Sequence, residues 1–188
     1  SMFSGKSEEL IRRVRRAHYA RQKIQLFKHI HDCRKTIEHI HAHSGDKIPA
    51  CAAPSVEYIE SMILDDTEIV GIDEIQFFDH SIILLIDKLV AQGKRVILAG
   101  LDLDFRGIPF GPMPILLALA DDVIKLKAVC VKSGFDAHFT QRLVNGRPAL
   151  HTDPIVVIGA EETYEARSRH CYEIDKKPLK EYIEQNKV

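Results

Sequence analysis

Long apolar runs are missing from this chain. Stretches such as residues 115–120 are core-sized, far short of the roughly 18–20 residues that a membrane span needs. An excess of charge of one sign is missing too. Lys and Arg number 26 against 27 Asp and Glu, a net charge of −1, whereas a dedicated nucleic-acid binder is expected to be clearly basic. Neither nucleic acid nor membrane is therefore expected as a partner. Cysteine is scarce: four in 188 residues do not make a disulfide scaffold, so a reducing, cytoplasmic setting is expected. No signal-peptide pattern, internal repeat or low-complexity segment is visible. What remains, 45% hydrophobic and 28% charged residues, is the composition of a soluble globular protein of one domain, or one domain with a small appendage.

Periodicity divides the chain. Leu10, Ile11, Val14 and Ala17 recur near 3.6 residues, and Glu8 and Glu9 lie in the first turn, so 7–20 is expected to be helical. A short strand is expected over 23–27. Residues 29–54 are polar, His-rich and unpatterned and read as a long connection. A helix is expected over 56–64, and a buried strand over 68–73, apolar and ending in acid. A helix over 81–92 stopping at Gly93 and a buried strand over 95–99 complete a parallel βαβ unit. A helix over 112–120 and a strand over 123–130 follow. After Cys130 the texture changes to Gly134, Gly146, Pro148 and Pro154 with few apolar residues in register, apart from a short strand at 155–158. The expected division is an α/β nucleotide-binding core over 1–129, a loop-rich appendage over 130–175 and a flexible tail over 176–188.

The first seven residues, Ser1, Met2, Phe3, Ser4, Gly5, Lys6 and Ser7, match the end of a G-x-x-x-x-G-K-[ST] loop. Backbone N–H groups must converge on phosphate oxygens, and glycine permits close approach. Lys6 would supply a charge to the β- and γ-oxygens, and the Ser7 hydroxyl would ligate Mg²⁺. The helix that follows turns its positive end to the anion. The first Gly of the motif and its feeding strand are expected before Ser1. A bare Gly-Lys-Ser arises often by chance; here it opens a helix and has a partner downstream.

That partner is Asp73-Glu74-Ile75-Gln76, directly after a buried strand. An Asp there can hold Mg²⁺ with Ser7. Glu74, one residue on, can take a proton from an attacking hydroxyl, or activate water in a hydrolytic ATPase. Phe77 and Phe78 are either core or walls for a planar base.

Together with residues 2–10, three further groups of segments carry a resemblance: Asp73-Glu-Ile-Gln-Phe-Phe78; Gly100-Leu-Asp-Leu-Asp-Phe-Arg-Gly-Ile-Pro-Phe-Gly111; and residues 125–130, 139–143 and 159–164. In combination, and over nearly the whole chain, they resemble the type II thymidine kinases, the cytosolic, tetrameric kind; residues 37–54 match least. The fold implied is α/β, a P-loop (RecA-like) parallel sheet flanked by helices, with a small C-terminal lasso or zinc-ribbon-like appendage. The activity implied is transfer of the ATP γ-phosphoryl group to the 5′-hydroxyl of thymidine or deoxyuridine, with Mg²⁺, in a homotetramer inhibited by thymidine triphosphate. On the family pattern Glu74 is the general base. Residues 1–7 hold the phosphates, with Asp73 and Gln76 near metal and nucleotide. Met2, Phe77, Leu101, Phe105, Phe110, Thr140 and Tyr164 line the nucleoside pocket, and backbone near Ile155, Val157 and Ile158 reads the base. Arg106 and Arg142 are cations in matching segments, and Asp32 and Arg34 lie in a stretch like the family's phosphate-side lid. Plain core packing is the alternative for Phe105, Phe110 and Tyr164.

The family appendage carries C-x-x-C twice, a closed tetrahedral zinc site. This chain has Cys130-Val-Lys-Ser133 and Ser168-Arg-His-Cys171. Two thiolates are too few for that site unless His138 or His170 joins, so no structural zinc and a looser appendage are expected. A Cys130–Cys171 disulfide does not suit the cytoplasm, and Cys33 and Cys51 have no partner pattern. His29, His31, His39, His41 and His43 lack a fixed ligand motif and read as an exposed loop. Arg12, Arg13, Arg15 and Arg16 read as a solvated helix face or a subunit contact. Two rivals stay open: a RecA-like P-loop ATPase acting on DNA, and a catalytically silent nucleotide-binding protein.

Overall fold

In the computed structural model, residues 1–30, 39–41, 45–155 and 162–185 are described. They form two compact units. One comprises Gly5–Leu101 and Gly111–Val123; the other comprises Ser1–Ser4, Asp102–Phe110 and Ile124–Val188. The second unit thus takes in two short segments from the N-terminal two-thirds of the chain.

The larger unit opens with α1 (Lys6–Tyr19), followed by β1 (Ile24–His29), β2 (His39–His41), β3 (Lys47–Pro49), β4 (Cys51–Ala53) and α2 (Val56–Met62). β5 (Ile69–Asp73) then runs into a single 3₁₀ turn, Ile75–Phe77, and α3 (Ser81–Ala91), β6 (Arg95–Leu98) and α4 (Met113–Leu119) complete it. β4, β1, β5 and β6 lie in that order, all parallel, with Ile24 to Lys28 opposite Ile69 to Asp73. Both faces are covered, which is why β5 reads as an unbroken apolar run. On one face Leu10, Ile11, Val14 and Ala17 of α1 pack with Leu26, Ile69 and Ile97. On the other Val56, Ile59, Ile82, Leu85, Leu89, Met113 and Leu116 pack with Phe27, Val70 and Ile72. This is the expected α/β sheet flanked by helices. Among the described residues no helix is long and apolar enough to cross a membrane.

One expectation for this unit needs correcting. The stretch read as an unpatterned connection holds an antiparallel hairpin, β2 with β3, whose Ile40 is buried in the α1-side core, and the edge strand β4. Strands of three residues show too little alternation to be seen. Asp32, Arg34 and Cys33 fall outside the described residues.

The smaller unit is built of β-structure. β7 (Ala128–Val129) pairs with β8 (Asp136–Ala137), and β9 (Phe139–Val144) is flanked antiparallel by β10 (Arg147–Pro148) and β11 (Glu162–Arg167). The strand expected over 123–130 is only two residues long, and β9 and β11 replace the expected loop. Residues 179–185 of the supposed flexible tail form α5 (Leu179–Gln185), which buries none of its residues. The strand expected at 155–158 is not formed at Ile155, which is exposed; Val157 and Ile158 fall outside the described residues.

Candidate active site

In the larger unit, α1 starts where the Gly-Lys-Ser reading requires. Gly5 caps it with φ 80°, a left-handed conformation that costs glycine little, and its carbonyl accepts from the Glu9 N–H at 2.9 Å. This geometry places Ser7 in the first turn of the helix, opposite the end of β5. Its hydroxyl donates to Asp73 Oδ2 at 3.0 Å. The other oxygen, Oδ1, accepts from the Glu74 N–H at 3.0 Å. Asp73 is 4% exposed. Burial, then the neighbouring Glu74 charge, push its carboxyl up to about 7, against the pull of the Ser7 hydroxyl and Lys6. A buried acid poised this way calls for a cation, and hydroxyl and carboxylate oxygens side by side suit a hard divalent ion such as Mg²⁺. Lys28, buried, sits directly opposite Asp73 across β1 and β5.

Glu74 has φ 52°, a left-handed conformation for a non-glycine residue. Such strain persists only where the surroundings fix it. The fixing contacts are present. The Ile75 N–H donates to the Ala99 carbonyl at 3.1 Å, and Gln76 Nε2 donates to Glu74 Oε2 at 2.5 Å. Gln76, 2% exposed, is itself held by the Leu101 N–H on its Oε1 at 3.1 Å. A Cβ on Gly111 (φ 51°) would meet the Gln76 carbonyl oxygen at 2.4 Å, so only glycine lets the chain pass there. The bend turns the half-buried Glu74 out of the strand while Asp73 stays inside. Phe78 is core, and His29 packs edge-on against its ring at 4.5 Å and tilted against Phe77 at 5.8 Å. Phe77 and Leu101 are half-buried.

In the smaller unit, Ser1 is buried and donates from Oγ to the Ala137 carbonyl at 3.3 Å. The Met2 N–H donates to Thr140 Oγ1 at 3.0 Å, which ties Met2 to β9. Ser4 Oγ donates to the Ser1 carbonyl at 2.8 Å, and Phe3 is 45% exposed with φ 62°. Arg142, in β9 opposite Tyr164 of β11, lays its guanidinium over the Phe105 ring, 5.0 Å from the centroid. Its Nη1 donates to the Pro154 carbonyl. Met2, Phe105, Thr140, Arg142 and Tyr164 thus share one lobe. Phe110 belongs to the same unit, its N–H on the Asp102 carbonyl at 3.1 Å. Arg106 pairs with Asp104 at 2.7 Å.

A family model described as thymidine kinase matches residues 1–172. The chain belongs to the thymidine kinase family. The thymidine kinase is therefore an enzyme of nucleoside salvage with ATP and thymidine as substrates, and this selects it over the DNA-acting ATPase and the silent nucleotide-binding protein.

Two residues of the kinase escaped the sequence reading. Asp104, 4% exposed, braces the loop over 102–110: its Oδ1 accepts from the Arg106 and Ile108 N–H groups at 2.8 and 3.2 Å. An Asp four residues before a loop N–H is the available signal. Tyr172, beyond every quoted motif, donates to the Phe105 carbonyl at 2.6 Å.

The four family zinc positions come together in the kinase, but with the wrong chemistry. Ser133 Oγ and Ser168 Oγ lie 3.3 Å apart. Cys130, 1% exposed, packs with Ala128, Ala137, Ala166 and the half-buried Cys171. Burial opposes ionisation of the Cys130 thiol, yet hydrogen bonds from Ser133 and Ser168 bring it down to about 5. His138 and His170 are exposed, and among the described residues no three His, Cys, Asp or Glu side chains gather as metal ligands. Two thiols and two hydroxyls do not fit a closed zinc site.

Proposed function

We propose that this thymidine kinase transfers the ATP γ-phosphoryl group to the 5′-hydroxyl of thymidine and deoxyuridine, with Glu74 as general base. The observation that carries the reading is the pairing of Ser7 with Asp73 at 3.0 Å beside the strained, Gln76-braced Glu74. Residues 1–7 cradle the phosphates, and Lys6 places its charge on the β- and γ-oxygens. Ser7 and Asp73 hold Mg²⁺, which when bound neutralises phosphate charge and orients the oxygens. Glu74 accepts the proton of the 5′-hydroxyl as that oxygen bonds to the γ-phosphorus. The bond from that phosphorus to the bridging oxygen breaks, and ADP leaves with the electron pair. Asp73 is a poor candidate for base because both its oxygens are engaged.

Met2, Phe105, Phe110, Thr140 and Tyr164 are proposed as nucleoside contacts, together with Phe77, Leu101 and backbone at Ile155, Val157 and Ile158. The 5-methyl group of thymine adds about 1–3 kcal/mol in an apolar slot, so deoxyuridine is discriminated weakly. Thymidine triphosphate inhibition, a homotetramer and a cytoplasmic location are part of the same proposal and rest on the family alone. The test is ADP release at fixed ATP with and without each nucleoside. Release that depends on thymidine, and to a lesser degree on deoxyuridine, is expected. ADP formed without nucleoside, or none with thymidine, overturns the reading.

A further inference from the structure

Phe105 is gripped at two points within the smaller unit. The Arg142 guanidinium covers its ring, and its backbone carbonyl accepts the Tyr172 hydroxyl at 2.6 Å. Tyr172 is no loose surface group. Its ring stacks on buried Phe139, centroids 4.5 Å apart and planes 17° apart. Its N–H donates to the Ser168 carbonyl at 3.0 Å, as does that of Cys171. The following residue, Glu173, is bound to Gln141 of β9 through both main-chain groups: the N–H to Oε1 at 2.8 Å and the carbonyl from Nε2 at 2.9 Å. Gly107, two residues beyond Phe105 (φ 70°), has its Cα within reach of the same pair. A Cβ there would lie 3.4 Å from Phe139 and 3.5 Å from the Tyr172 hydroxyl. Burial, and then the Asp104 charge, raise the Tyr172 phenol above its ordinary value, so it remains a donor at every working pH.

A donor 67 residues further along the chain therefore fixes the main chain at an aromatic of the loop over 102–110 that carries a cation on its face. We propose that Tyr172 is a positioning residue for the nucleoside: its hydroxyl sets the Phe105 backbone, and through it the ring against which the thymine is held. The inference rests on Phe105 being a nucleoside contact, as proposed above. Tyr172 itself does not touch the reacting atoms. The role separates thymidine from ATP, because the grip bears on the loop over 102–110 and not on Gly5, Lys6 or Ser7.

The experiment compares Tyr172→Phe, which keeps the stacked ring and loses only the hydroxyl, with Tyr172→Leu, which loses both, and with Phe105→Leu. Thymidine and ATP KM, kcat and the melting temperature are measured for each full-length protein. A lost hydrogen bond of ordinary strength changes an equilibrium by roughly two- to twelvefold. Tyr172→Phe is expected to raise the thymidine KM by about that factor, with the ATP KM unchanged and the melting temperature lowered by no more than a few degrees. Tyr172→Leu is expected to raise it further. An unmoved thymidine KM in Tyr172→Phe, or thymidine and ATP constants that move together, overturns the role of Tyr172. If Phe105→Leu also leaves the thymidine KM unmoved, the nucleoside assignment itself falls; if Phe105→Leu raises it, only the Tyr172 proposal does.

Discussion

Replacing Gln76 with Leu isolates the brace on Glu74. The two side chains are similar in size and the position is 2% exposed, so the variant keeps its packing and loses two polar contacts. One is the 2.5 Å bond to Glu74 Oε2, a hydrogen bond to a charged group that is worth about 1.5–3 kcal/mol. The other is the acceptor for the Leu101 N–H, whose orphaning costs about 1–3 kcal/mol of folding stability. If the first contact serves to aim Glu74, its loss appears in turnover. At about 1.4 kcal/mol per decade, kcat falls roughly 10- to 100-fold. ATP affinity, which the proposal assigns to residues 5–7 and Asp73, is expected to stay within about twofold. The assay is steady-state ADP release with a separate nucleotide-binding titration and a urea denaturation curve. A variant that is less stable by the expected amount but turns over within about twofold of the parent refutes the orienting role and leaves Gln76 as structural only.

Three more outcomes follow from single features. Glu9 is held near 2 by hydrogen bonds from Arg12, against some desolvation, and from Arg13. A depressed acid stabilises the fold above its unfolded value of about 4.5 and loses that contribution as pH falls toward 2. With both pairs on an open helix face the contribution is about 1 kcal/mol or less, and Glu9→Gln is expected to flatten the acid limb of stability over that window; an unchanged limb contradicts it. Restoring thiols with Ser133→Cys and Ser168→Cys together is expected to bring one zinc per chain by elemental analysis, with the parent at none. Zinc in the parent at one per chain overturns the chemical argument. Ser7→Ala is expected to raise the Mg²⁺ concentration needed for half-maximal rate several-fold, and an unmoved requirement counts against Ser7 as a ligand.

The sheet and the start of α1 at the Gly-Lys-Ser turn were legible because their signals are local. Leu10, Ile11, Val14 and Ala17 mark one face of α1, and Ile69 to Ile72 are buried on both faces of β5. Ser7 and Asp73, sixty-six residues apart, were joined by known loop chemistry and meet at 3.0 Å. β9 was missed because Thr140, Gln141 and Arg142 are all buried. They are polar residues used for contacts with Met2, Glu173 and Phe105, so burial leaves no apolar alternation. Among the described side chains of the hairpin β2–β3, only Ile40 is fully buried, with Ile48 partly buried beside it. The left-handed Glu74 has no sequence signature, since it follows from Gln76 and from the passage of Gly111. Tyr172 has no sequence signature either: its hydroxyl meets a carbonyl, and a carbonyl has no side chain to read.

The decisive experiment is single-turnover phosphoryl transfer by Glu74→Gln. The amide keeps the size of the side chain and an oxygen for Gln76, and removes only the ability to take a proton. The rate of thymidine monophosphate formation is expected to fall by about 10²–10⁴, with ATP and thymidine binding held within about twofold. A transfer rate within a few-fold of the parent would contradict the assignment of Glu74 as the base.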